Sequence, residues 1–178
     1  MKLSDSEINS KLREKLEQPT GRHLYVVLGT YERLARYERI SMPEARGPSG
    51  EKLPAPVNLN RAILERVPDD DLKWMVQNEA RLPGSVSQRI ARELDALLSE
   101  HLAENMLLVL KQMELLFTYD LELKPLRIRA VNRKHILLLL PGERTSQHIL
   151  LFHEAPPEFH RTLPANIVPD DHIWELNT

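Results

Sequence analysis

Met106–Leu110 reads MLLVL and Ile136–Leu140 reads ILLLL, two uninterrupted apolar runs. A strand that alternates needs cover on one face only, whereas a strand apolar on both faces belongs in the middle of a sheet with helices on either side. These runs therefore predict the centre of the fold. Upstream of them, Ser85 with Gln88 has capping-box spacing, and Val86, Ile90, Leu94, Leu97, Leu98 and Leu102 fall on one helical face. That face is the cover such a sheet needs. Earlier still, His23–Leu28 (HLYVVL) is β-branched and aromatic and stops at Gly29, after which Tyr31, Leu34 and Tyr37 resume helical spacing. A strand running directly into a helix is predicted there.

The remaining segments fit around this frame. Ser4 and Glu7 form a capping box ahead of Ile8, Leu12 and Leu16, so the chain opens with a short amphipathic helix that ends near Pro19 and Gly21. Residues 43–56, PEARGPSGEKLPAP, hold four prolines and two glycines and predict a mobile loop open to proteolysis. Val57–Leu59 begins a short strand. Asp69–Asp71 cap a helix carrying Leu72, Met75 and Val76, and Pro83–Gly84 end it. Near the end, His148–Phe152 (HILLF) and His172–Leu176 (HIWEL) are shorter and more polar, as befits edge or hairpin strands. The order predicts one α/β domain over residues 1–178, three-layered, with a mainly parallel doubly wound sheet of about five strands. Such a length suits one domain with a sizeable core.

Composition excludes several classes. Acidic and basic residues number 26 and 24, a formal net charge of −2, so no global field draws the molecule to nucleic acid or membrane. There is no cysteine, which removes disulfides, thiolate zinc sites and cysteine nucleophiles and fits a reducing compartment. The opening residues lack a signal-peptide core, and no apolar run nears the roughly 20 residues of a membrane span. A cytoplasmic location and no membrane partner are expected.

Three segments together resemble the small P-loop protein of bacteriophage exclusion (BREX) systems and, more broadly, the additional-strand class of P-loop ATPases. The strand, glycine and helix at His23–Tyr37 occupy the phosphate-loop position. VNLNRAILE, residues 57–65, looks like the second strand of that family. Leu107–Arg144 looks like a Walker B strand, an "ELLF" helix, a "PLR" turn and a sensor strand, and HEAPPEFHR, residues 153–161, resembles its closing segment. The resemblance implies a P-loop NTPase-like fold and a place in a prokaryotic phage-defence assembly.

The departures bear on the chemistry. A working phosphate loop reads G-x-x-x-x-G-K-[ST], because backbone N–H groups wrap the phosphates, the lysine neutralises them and the hydroxyl binds Mg²⁺. Counting from Gly29, the last three places hold Leu34, Ala35 and Arg36, and the carboxylate expected after LLVL is Lys111. With both halves of the metal site missing, no nucleotide, metal or other cofactor is expected, and no ATPase activity. Glu114 stands in the "ELLF" position and reads as a solvated or helix-capping glutamate.

Other constellations offer binding more than catalysis. Lys124, Arg127, Arg129, Arg133 and Lys134 form a basic segment that either contacts nucleic acid or an acidic partner, or is a solvated rim balanced by Asp120 and Glu122. Trp74 sits among apolar neighbours and is expected in the core. For Trp174, packing and partner anchoring on an edge strand stand equal. His148, His153, Glu154 and His160 lack zincin spacing, no nucleophile turn is present, and Asp69–Asp71 read as helix-capping carboxylates.

The expected function is therefore a catalytically silent, P-loop-like adaptor or scaffold acting through other defence-system proteins or self-association. The alternatives are a nucleic-acid-binding accessory using residues 124–134 and an atypical nucleotide-binding ATPase.

Overall fold

A computed structural model describes residues 2–121, 123–146, 148–164 and 166–177. From the N-terminal side come β1 (Lys2–Leu3), α1 (Asp5–Leu16), β2 (Leu24–Gly29) and α2 (Tyr31–Arg36), the last continued by a π-helical turn, Tyr37–Ser41. Next are β3 (Val57–Asn58), α3 (Leu59–Leu64), α4 (Asp69–Asn78) and α5 (Pro83–Glu104). Then follow β4 (Leu107–Lys111), α6 (Glu114–Thr118), α7 (Lys124–Arg129), β5 (His135–Arg144), β6 (Ile149–Leu151), β7 (Arg161–Leu163) and β8 (Ile173–Leu176).

The main sheet runs in the order β1-β8-β2-β5-β4-β3, parallel throughout. The far end of β5 turns antiparallel, pairing with β6, which pairs with β7. The fold is thus α/β with a mostly parallel sheet flanked by helices.

Alternate residues along each strand feed opposite faces. Leu24, Val26, Leu108, Leu110, Ile136 and Leu138 pack on one side with the α5 stripe, and all six predicted α5 positions are buried. Tyr25, Val27, Val109, Leu137 and Leu139 pack on the other with Ile8 and Leu12 of α1 and with Leu34 and Tyr37. Residues 43–56 form no helix; Gly47 and Glu51 close a turn there, and Leu53 packs against this second face.

Several boundaries differ from expectation for definable reasons. The Ser4–Glu7 capping box is present. Pro83, expected to end a helix, instead opens α5 at its first position, where a missing N–H costs nothing. Ser85 is consequently inside α5 and does not cap it. Asp69–Asp71 occupy the first turn of α4 behind Pro68, with no side-chain cap bond, so their effect is through the helix dipole. Leu59 starts α3 and is not part of a strand; Asn58 accepts from Arg61 N at 3.0 Å and caps it.

Two corrections concern tryptophans. β8 is not an edge, because β1 covers its outer side, and its residues are buried. Trp174 lies inside that strand at 3% exposure, stacked on Tyr25 with ring centroids 5.7 Å apart. It is a core residue, so of the two expectations the structure shows packing. Trp74, expected in the core, is 42% exposed, because Leu72 and Met75 supply the inward face of α4. Trp174→Ala should cost about 3–5 kcal/mol, read as a lowered urea midpoint.

The second face also holds a polar group. Tyr25 Oη lies 3.0 Å from His23 Nδ1 and 3.3 Å from His135 Nδ1, and His172 Nδ1 is 3.2 Å from the Leu24 carbonyl. Burial lowers the pKa of all three histidines, His135 from 6.5 to about 4 with help from the neighbouring His23. Lys15 adds to the lowering at His172, while Asp171 opposes it. The folded state thus binds fewer protons than the unfolded chain. Stability is complete above the unfolded value and falls as the pH drops from about 6.5 toward 4. Urea unfolding at pH 7.5 and pH 5 should show the lower midpoint at pH 5.

Candidate functional site

In open parallel sheets a ligand crevice forms beyond the carboxyl ends of the strands, where neighbouring connections leave in opposite directions. Here the chain leaves β2 toward β3 on one side and leaves β5 for β8 on the other, so that point lies between β2 and β5. Gly29 ends β2, Asn58 ends β3 and Lys111 ends β4, which brings the predicted phosphate-loop and magnesium positions to the same end of the sheet.

The turn after β2 holds no phosphate loop. A single residue, Thr30, separates Gly29 from α2, so residues that would wrap a phosphate are already helical. Three of their amides are engaged. Leu34 N donates to the Thr30 carbonyl at 2.9 Å and Arg33 N to Thr30 Oγ1 at 3.1 Å. Tyr31 N donates to Glu154 Oε2 at 2.7 Å, so a carboxylate from the segment after β6 sits on the first turn of α2. Leu34 is buried, whereas Ala35 and Arg36 face solvent.

The tip of β4 is likewise internally paired. Lys111 Nζ lies 2.5 Å from Glu38 Oε1 on the π-helical turn. Gln112 follows with a left-handed φ of 49° and hydrogen-bonds to Asn58. Asn60 N donates to the Gln112 carbonyl at 2.9 Å, Asn60 Nδ2 to Glu114 Oε2 at 2.6 Å, and Leu115 N to Asn60 Oδ1 at 3.0 Å. Glu114 therefore braces α6 against α3, and Tyr31 Oη approaches its other oxygen at 3.5 Å. Burial, then Glu114, raises the Tyr31 pKa. Sequence reasoning missed the roles of Asn58, Asn60 and Gln112; the VNLN pattern was their visible trace.

Two clefts flank this centre. One of about 610 Å³ is bordered by Asn58, Asn60, Gln112 and Glu114. The other, about 330 Å³, lies over Gly29 and Thr30 between β5 and β8, with Arg33, Glu143 and Glu175 in its walls.

The basic segment is only partly a free surface. Arg129 pairs with Asp95 at 2.6 Å and Lys134 Nζ donates to the Asn105 carbonyl at 3.2 Å. Lys124, Arg127 and Arg133 have no ion pair among the described residues. Glu122, expected to balance them, lies outside the described residues. His160 Nε2 is 2.8 Å from the Ala155 carbonyl, and among the described residues no three His, Asp or Glu side chains converge as metal ligands.

Comparison with protein-family models, curated proteins and solved structures finds no match to this chain. Because Glu154 holds the Tyr31 amide, Glu154→Ala should speed hydrogen exchange at Tyr31 about tenfold while lowering overall stability by no more than about 1 kcal/mol.

Proposed function

We propose that this protein is a non-hydrolytic, P-loop-like adaptor that acts by binding other proteins. The observation that carries the reading is that the groups a nucleotide would need are already spent on internal partners. The amides of Tyr31, Arg33 and Leu34 have acceptors, and the position of the metal's carboxylate is a lysine paired with Glu38. Magnesium beside Lys111 would meet a like charge, and a phosphate on α2 would have to displace Glu154. The placement of β5 between β2 and β4 supports kinship with the additional-strand class. A phage-defence setting, with larger defence proteins as partners, rests on the resemblance of the quoted segments.

The surface available for recognition is apolar in places. Trp74, Val76 and Leu82 are exposed on and just beyond α4, and an exposed tryptophan is the kind of anchor that dominates interfaces. The opening helix is less available than its sequence suggests, since Ile8 and Leu12 are fully buried. Calorimetry with ATP and Mg²⁺ should register no binding at millimolar nucleotide; saturable heat would overturn the reading. Trp74→Ala should leave the unfolding free energy within about 0.5 kcal/mol of the parent and weaken partner binding or self-association at least tenfold.

Nucleic-acid binding is the second reading, favoured by the absence of described ion pairs at Lys124, Arg127 and Arg133. Replacing all three with alanine should weaken a salt-dependent DNA or RNA complex and flatten its salt dependence. Equal retention by parent and variant would remove it.

A further inference from the structure

The chain has three phenylalanines, and all three border one hollow together with Tyr31. Phe117 stands on α6, Phe152 directly follows β6, and Phe159 ends a short 3-10 turn, Pro157–Phe159. The Phe117 and Phe152 rings meet edge to face, centroids 5.2 Å apart at 75°, which sets two walls of the hollow nearly at right angles. Phe152 reaches its place with a left-handed φ of 58°, a conformation that bulky residues seldom adopt and that concentrates at ligand sites. It is 3% exposed and forms the floor, whereas Tyr31 and Phe159 are 41% and 54% exposed and form the rim.

The walls are fixed from behind. Tyr31 N donates to Glu154 Oε2 at 2.7 Å and Tyr31 Oη to Glu114 Oε1 at 3.5 Å, so the residue is tied at both ends. The loop carrying Phe159 is closed by its own bonds. Phe159 N donates to the Pro156 carbonyl at 2.9 Å, and Arg161 Nη1 donates to the carbonyls of Glu158 and His160 at 2.9 and 2.8 Å. Two charges border the hollow, and they differ in what they leave free. Each Glu114 oxygen already accepts a bond, one from Asn60 and one from Tyr31, so this carboxylate offers negative charge more than a seat for a further donor. Arg161 is partly exposed and has no ion pair among the described residues; its Nε and Nη2 have no hydrogen-bond partner there, and neither atom is enclosed. Arg161 also borders the neighbouring hollow over Leu116 and Ile167, which Glu114 and Tyr31 do not, so the two charges lie on different sides.

We propose that this hollow binds a small betaine, a zwitterion with a quaternary ammonium group at one end and a carboxylate at the other. The methylated cation rests against Tyr31, Phe117 and Phe159, whose ring faces attract positive charge, and Glu114 adds to the attraction. A primary ammonium would bring three N–H donors to rings and an already bonded carboxylate, and would lose hydration without replacing it; a quaternary cation has no donors to satisfy. The carboxylate of the ligand meets the free donors of Arg161 and offsets the repulsion between that guanidinium and the bound cation. At about 150 Å³, the room of roughly five water molecules, the hollow takes a ligand of this size and little more. The site stands apart from the exposed Trp74 surface and does not depend on partner binding.

Glycine betaine and two comparators separate the halves of the claim. Choline keeps the cation and lacks the carboxylate, and 3,3-dimethylbutanoate keeps shape and carboxylate but has carbon in place of the charged nitrogen. Titrated calorimetrically into the full chain at pH 7.5, glycine betaine should bind saturably at millimolar concentration or below, about tenfold more tightly than either comparator. Phe159→Ala removes an exposed ring, so it should leave the urea midpoint close to that of the parent and weaken glycine betaine about tenfold. No saturable binding at millimolar glycine betaine, equal affinity for either comparator, or full affinity in the folded Phe159→Ala protein would each overturn the proposal.

Discussion

Two-sided burial of β5 is the constraint from which the architecture follows. Ile136, Leu138 and Leu140 point to one face and Leu137 and Leu139 to the other, all at 3% exposure or less. Neither face can be left to water, so each recruits a layer. The layers are unequal. α3 to α7 gather over one face around the long stripe of α5, whereas the other has α1, α2 and the irregular 43–56 segment. Loop in place of helix is a looser lid, and a cavity beside His135 is found beneath it.

The parts of this plan that were legible in sequence are those where one periodicity ran long enough to be distinctive. Within the 22 residues of α5 the apolar face repeats from Val86 to Leu102, and the LLVL and ILLLL runs admit no solvent-facing side. The Ser4–Glu7 cap was equally plain. What escaped notice was set by partners distant in sequence. β1 is two residues long and has no pattern of its own, yet it converts β8 from an edge into an inner strand and so buries Trp174. Glu175 made that strand look peripheral. Trp74 erred the other way, because the i, i+3 pair Leu72 and Met75 already fills the inward face of α4. The short helix α3 owes its form to the Asn58 cap and to packing, and α6 and α7, without a side-chain cap, to packing more than to amphipathic repeats.

At the carboxyl end of the sheet, the sequence revealed which residue types were absent but not what replaced them. Unpaired amides and an uncompensated charge carry a desolvation cost that a ligand-binding protein accepts in exchange for function. Thr30 removes that cost within its own turn, whereas Glu154 reaches Tyr31 and Glu38 reaches Lys111 from 123 and 73 residues away along the chain. Asn60 and Gln112 do similar work between α3 and β4. Apart from the Thr30 cap, none of these pairings has a sequence signature, since each is a single polar residue meeting another through the fold.

The insertion of β8 between β1 and β2 has a bearing on biosynthesis. α1 rests on Trp174 and Leu176, so its apolar side lacks part of its seat until residues 173–176 have left the ribosome. α1 thus emerges well before the strand that completes its seat. Between those two moments of translation Ile8 and Leu12 must be shielded by transient collapse or by a chaperone.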